Sequence, residues 1–175
     1  MTSTEESFLK TRFLERNPRA RNGIFAAIQR NRLYANNLAR QRKCEIWDYW
    51  QAELNELGQK YENPQSVMTY LADVFQLRHL MNDRFAQNHD IDFRLSHAQK
   101  SLAVFLKYKW CVDEIPAPPL CPIDRNVLQE LGVRNYCWTK MKEENLLRTA
   151  NHLAVRAEME NLSIAQWELK TFENL

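Results

Sequence analysis

Lys100 and Asp124 are the side chains in this sequence whose types and setting point most directly to chemistry. Lys100 follows Ser96-His97-Ala98-Gln99 and precedes the apolar run Leu102-Ala103-Val104-Phe105-Leu106, while Asp124 closes the triplet Pro122-Ile123-Asp124 that leaves a proline-rich loop. A hydroxyl at Ser96 and an amide three residues later at Gln99 have the form of a capping box, which places Lys100 in the first turn of a helix. The free N–H groups and positive dipole end of such a terminus suit an anion, for example a DNA phosphate. They also make a lysine there shed its proton more readily, as an amine nucleophile must. Asp124, fixed at the start of the next helix by the flanking proline, is expected to face Lys100 across the loop. The same two residues could equally be a solvated lysine and an ordinary N-terminal helix acid. His97 is a candidate substrate contact or a hydrogen-bonded cap. Trp110, Tyr136 and Trp138, the last close to Lys140, could stack on an extruded base or simply fill a helical core.

At these residues the chain resembles the helix-hairpin-helix DNA glycosylase superfamily, the endonuclease III and oxoguanine glycosylase group. The resemblance covers roughly residues 93–131: a lysine early in a helix, an apolar helix, a loop, and a Pro-Ile-Asp triplet like the family's Pro-Val-Asp motif. It implies that Lys100 is the amine nucleophile and Asp124 the catalytic carboxylate. The activity it implies is excision of a damaged or modified base from DNA by glycosidic hydrolysis, with a possible abasic-site lyase step. Asp92-Phe93-Arg94-Leu95-Ser96 stands where the family carries a glycine-containing hairpin, and the four-cysteine cluster loop of one branch is missing.

Charge distribution adds a second line of argument. The formal net charge of the 175 residues is only +2, but Arg12, Arg16, Arg19, Arg21, Arg30, Arg32, Arg40 and Arg42 lie between Lys10 and Lys43, opposed by Glu15 alone. Such a segment is a footprint for phosphates or a solvated basic helix face. The alternative to an enzyme is therefore a non-catalytic helical module that binds nucleic acid or an acidic protein through this segment.

The elements that must position these residues are helices. Three glycines and six prolines leave little turn chemistry for strands, so the expected fold is all-α, a compact multi-helix bundle in one domain over residues 1–175, with residues 1–7 a disordered tail. Phe8, Leu9, Phe13 and Leu14 pattern a short helix that Asn17-Pro18 ends. Apolar residues then recur from Ile24 to Leu57, as one helix or as two joined near Asn36-Asn37, with Gly58 as C-terminal cap. Asn63-Pro64 is expected to open a helix to about Gln87. The next runs from Ser96 to about Trp110. Ile115 to Pro122 cannot be helical, but its apolar flanks should tie it to the core. A short helix from Asp124 ends at Gly132, another runs from about Lys140 to Asn161, and a Ser163–Gln166 capping box opens the last one, which carries Trp167, Leu169 and Phe172.

Other chemistries leave no signature. There is no GxGxxG, Walker loop, HExxH or GxSxG, and Cys44, Cys111, Cys121 and Cys137 form no CxxC pair. No cofactor and no metal are called for, and the cysteines read as reduced, mostly buried thiols. The polar, acidic Met1–Glu6 and the absence of a long apolar run give the expectation of a cytoplasmic protein outside the membrane. If the arginines between Arg12 and Arg42 contact duplex phosphates, binding weakens with salt at a log–log slope of about −0.9 per phosphate neutralised. Titration at two salt concentrations reads that slope, and salt-insensitive binding counts against the footprint.

Overall fold

Helix formers interrupted at few points produce seven α-helices among the residues that the structure, a computed structural model, describes, namely 19–173. Arg12, Arg16, the helix expected around Phe8–Leu14 and the expected tail at 1–7 lie outside the described residues. The helices are α1 (Arg19–Ile28), α2 (Arg40–Gln59), α3 (Val67–Phe85), α4 (Leu95–Cys111), α5 (Arg125–Glu130), α6 (Glu143–Met159) and α7 (Ile164–Glu173). Single 3₁₀ turns occupy Lys60–Glu62 and Trp138–Lys140. Among the described residues the extended pairing is one isolated bridge between Tyr34 and Ile91, so the chain is all-α.

Local signals set several boundaries as expected. Ser163 and Gln166 form a reciprocal capping box, Ser163 N–H donating to Gln166 Oε1 at 2.9 Å and Gln166 N–H to Ser163 Oγ at 3.2 Å. Gly132, at φ +69°, ends α5 with bonds from its own N–H to Gln129 O and from Val133 N–H to Leu128 O, the pattern of a Schellman motif. Elsewhere tertiary packing moves the ends. The apolar run from Ile24 to Leu57 is two helices, because Leu33 is buried from an irregular connection between α1 and α2. Ser66, not Asn63, caps α3, its hydroxyl accepting from Thr69 N–H at 3.0 Å. Gly58 is no C-cap; it lies inside the last turn of α2, where a Cβ would come within 2.6 Å of Phe105 Cε1.

Helix α4 is the axis of the molecule, and every one of its residues except Val104 and Lys109 is buried. Helix α1 lies closest along it. Gly23 makes that approach possible, since a Cβ there would overlap the Ser101 carbonyl oxygen and press on Phe105. Trp50 of α2 donates its indole N–H to Ser101 Oγ at 3.1 Å, and Tyr70 of α3 donates its hydroxyl to Gln99 O at 3.0 Å. Beyond α4, the proline segment packs inward through Ile115, Leu120, Cys121 and Ile123, all buried, so it is an ordered part of the core. Cys111 and Cys121 are buried as read from the sequence, but Cys44 and Cys137 are exposed. No described helix is long and apolar enough to cross a membrane.

The glycine contact gives a direct test. Gly23→Ala forces α1 away from backbone that cannot yield, so it should lower stability by about 1–3 kcal/mol, the usual cost of overpacking. Urea unfolding of the two proteins measures it, and an unchanged midpoint would mean that α1 does not sit this close to α4.

Candidate functional site

The site begins at the first turn of α4, which is capped differently from the sequence pattern. Arg94 takes the N-cap position with extended backbone, and its N–H donates to His97 Nδ1 at 2.9 Å. The Ser96–Gln99 box does not form because both side chains are buried and engaged elsewhere. Ser96 Oγ accepts from Asn31 Nδ2 at 3.0 Å and donates to Thr139 O at 3.2 Å. Helix α4 therefore starts earlier, and Lys100 sits in its second turn. His97 has no exposed surface and its Nε2 donates to Asn31 O at 3.2 Å. Burial, only partly opposed by that bond, lowers its pKa to about 4. The ring is neutral near pH 7, accepts at one nitrogen and donates at the other. As a substrate contact His97 is corrected: it is a structural cap with no face open to a ligand.

Lys100 and Asp124 meet. Lys100 Nζ lies 2.5 Å from Asp124 Oδ2, with 11 % and 31 % of the two side chains exposed. The other carboxylate oxygen, Oδ1, caps α5 by accepting from Asn126 N–H at 3.0 Å and Val127 N–H at 3.2 Å. One residue earlier on each side, the buried Gln99 amide brackets Ile123, donating to its carbonyl at 2.6 Å and accepting from its N–H at 3.1 Å. Burial pushes the Asp124 carboxyl up, but the Lys100 charge and hydrogen bond and the two backbone N–H groups outweigh it, so its pKa lies below the ordinary value. Asp124 is thus a carboxylate at neutral pH, and it is the more exposed member of the pair.

The other candidates are dispersed. Trp110 is 8 % exposed and belongs to the core, so its ring would have to leave packed neighbours to reach a base. Tyr136 is half-buried and its hydroxyl bonds to that of Thr149, while Trp138, half-buried in its 3₁₀ turn, packs against the core. Lys140 lines a cleft of about 820 Å³ with Arg78, Asn82, Arg94 and Lys142. Arg32 lines a second, of about 400 Å³, that shares Asp92 and Arg94 with the first. Neither cleft includes Lys100 or Asp124 in its lining. Of the basic segment, Arg19 is paired with Glu114 at 2.5 Å, Arg21 lies over the Trp47 ring, and Arg30 is exposed just past α1. Arg32 holds Asn36 Oδ1 at 2.6 Å. These cations do not converge on Lys100. Among the described residues no group of three or more His, Cys, Asp and Glu is placed to hold a metal ion.

Sequence reasoning missed Gln99 as the clamp on Ile123 and Asn31 as the shared partner of Ser96 and His97. The available signal was the density of polar residues at Ser96, His97, Gln99, Lys100 and Ser101 immediately before an apolar run. Such a stretch has no clean polar face, so a helix containing it must meet specific partners on several sides.

His97 titration follows from its burial. The pKa is depressed on folding, so the unfolded chain binds the proton more tightly; stability is intact above about pH 6.5 and is lost as pH falls toward 4. At pH 5 this single group should leave the protein about 2 kcal/mol less stable than at pH 7. Urea unfolding at the two pH values, compared with His97→Gln, isolates the contribution; the same pH dependence in the variant would remove His97 as its source.

No protein-family model, no curated protein and no solved structure matches this chain.

Proposed function

We propose that the protein is a DNA glycosylase-like enzyme that extrudes a damaged or modified base and cleaves its N-glycosidic bond, with Lys100 as nucleophile and Asp124 as the acting carboxylate. The observation that carries the proposal is the pairing itself: 24 positions apart in sequence, the two groups stand 2.5 Å apart. In this reading the Lys100 amine, relieved of its proton, attacks the sugar carbon while the bond to the base breaks and the base departs with that electron pair. Positive charge that grows on the sugar is stabilised by the ionised Asp124. Asp124 is also the nearest acceptor for the proton that Lys100 must lose. Opening of the sugar ring on the bound amine then gives a Schiff base, from which strand scission by elimination can follow. The resemblance of residues 93–131 to the helix-hairpin-helix glycosylases supports the same assignment.

A second reading is favoured by one observation. Lys107, seven residues after Lys100, is paired with Glu168 at 2.6 Å inside the protein, with side chains 5 % and 9 % exposed. That pair is out of reach of any substrate. If Lys100–Asp124 does the same work of fastening α4 to its neighbours, the protein is a non-catalytic helical module that binds nucleic acid or an acidic protein through the basic segment from Lys10 to Lys43.

Borohydride trapping on DNA containing abasic or modified sites decides between them. Lys100→Gln should abolish the trapped adduct, since no Schiff base forms without the amine. Asp124→Asn should slow the reaction roughly 10²–10⁴-fold while DNA binding holds or tightens, because a carboxylate no longer repels phosphate. The double variant, which leaves no uncompensated charge, controls for folding. No adduct with the native protein, or full activity in both single variants, would favour the module.

A further inference from the structure

We infer that α1 and α2 carry a binding surface for single-stranded DNA, formed by Phe25, Trp47 and Tyr34 between the cations Arg21 and Lys43. The inference does not use the Lys100–Asp124 pair and stands or falls apart from it.

Three rings join into one surface patch. Phe25 of α1 meets Trp47 of α2 edge to face, with centroids 4.7 Å apart at 70°. The Trp47 indole N–H donates to the hydroxyl of Tyr34 in the connection between the helices. Trp47 and Tyr34 are half-buried, but Phe25 is 46 % exposed, although its neighbours Ile24 and Ala27 are fully inside. Helix α1 therefore has its apolar face satisfied by α4 and still presents a large aromatic ring to water.

Cations prevail on the α1 side of the rings, while Glu45 and Asp48 are exposed on either side of Trp47 and Asp92 shares a cleft with Tyr34. Residues 19–44 contain no Asp or Glu. Arg19 and Arg42 are taken up by Glu114 and by Glu45 and Asp90. Among the described residues, Arg21, Arg30, Arg32, Arg40 and Lys43 have no carboxylate partner within ion-pair distance. Two of them sit at the rings: the Arg21 guanidinium is 5.8 Å from the Trp47 centroid, and Lys43 Nζ is 5.4 Å from that of Tyr34. Cation–π contacts at exposed positions are weak, so both cations can exchange a ring for a phosphate at little cost.

Unpaired cations alone would accept any polyanion, including duplex DNA or an acidic protein. The exposed ring narrows the choice. Bases in a duplex have their π faces covered by stacking, whereas an unpaired strand offers them together with its phosphates, and stacking on an aromatic side chain tolerates any base. An acidic protein would meet the cations and gain nothing particular from Phe25.

The test uses the full chain, with anisotropy of a labelled oligothymidylate and of a duplex of equal length. The native protein should bind the strand more tightly than the duplex. Phe25→Leu, which keeps apolar bulk and removes the π face, should weaken strand binding about 5- to 100-fold, the value of one base stack, and Phe25→Tyr should restore it. Arg21→Gln with Lys43→Gln should reduce the salt slope by about 0.7 per cation that contacts phosphate. Strand binding unaffected by Phe25→Leu, a duplex bound as tightly as the strand, or no binding at low salt would each overturn the inference. Strand binding by the native protein is read by anisotropy whether or not any adduct is ever trapped, so the two readings fail separately.

Discussion

A helix that is buried on nearly all sides and yet carries polar side chains at its start must find a partner for each of them, and that constraint organises this protein. Ser96, His97, Gln99, Lys100 and Ser101 fill five of six consecutive positions of α4, all within the interior. Leaving one such group unpaired costs about 1–3 kcal/mol, so the surrounding elements are placed where partners are needed. Asn31 after α1 serves Ser96 and His97, Trp50 of α2 serves Ser101, and the Ile123 peptide serves Gln99. Apolar packing alone would tolerate sliding of these helices; the directional bonds fix their register.

The same logic separates the faces of α4. With 3.6 residues per turn, Ser101 and Phe105 share one side, which α1 and α2 cover through Gly23, Trp50 and Gly58. Lys100 and Lys107, seven residues apart, share another and meet carboxylates from the far half of the chain. The two pairs are energetically unlike. Lys107–Glu168 is almost wholly desolvated, so its attraction is offset by desolvation and its main effect is to penalise any arrangement that leaves one charge alone. Asp124 keeps about a third of its side chain in water, so its carboxylate is less desolvated than Glu168, whereas Lys100, with 11 % of its side chain exposed, depends on the pair for its charge.

What could be read from the sequence is what depends on local geometry. The Ser163–Gln166 box, the glycine that closes α5 and the non-helical proline segment each rest on a few adjacent residues and reappear in the structure. Ser96–Gln99 has the same local form as Ser163–Gln166 and fails, because burial offers both side chains distant partners of better geometry. Leu33 kept the helical period of its neighbours while lying in a connection, since periodicity records burial and not backbone conformation. The approach of Lys100 to Asp124 was legible because prolines and a helix N-cap constrain the route between them. The bracketing of Ile123 by Gln99 was not, because an amide that will bond a peptide looks in sequence like any solvated glutamine.

That bracket bears on what Asp124 can do. Two contacts that do not involve Lys100 hold its carboxylate, the N–H groups of α5 on Oδ1, and two bonds from Gln99 hold the peptide of the residue before it. Those contacts fix the position of Asp124 without help from Lys100, and the α5 N–H groups stabilise its negative charge. Lys100 reaches Oδ2 from the second turn of α4 along a buried stem, 11 % of its side chain being exposed. For the reaction proposed above, a carboxylate anchored in this way would need no reorganisation as positive charge develops on the sugar. The same two N–H bonds are also an N-cap that stabilises α5 by about 0.5–2 kcal/mol, a gain that needs no catalysis.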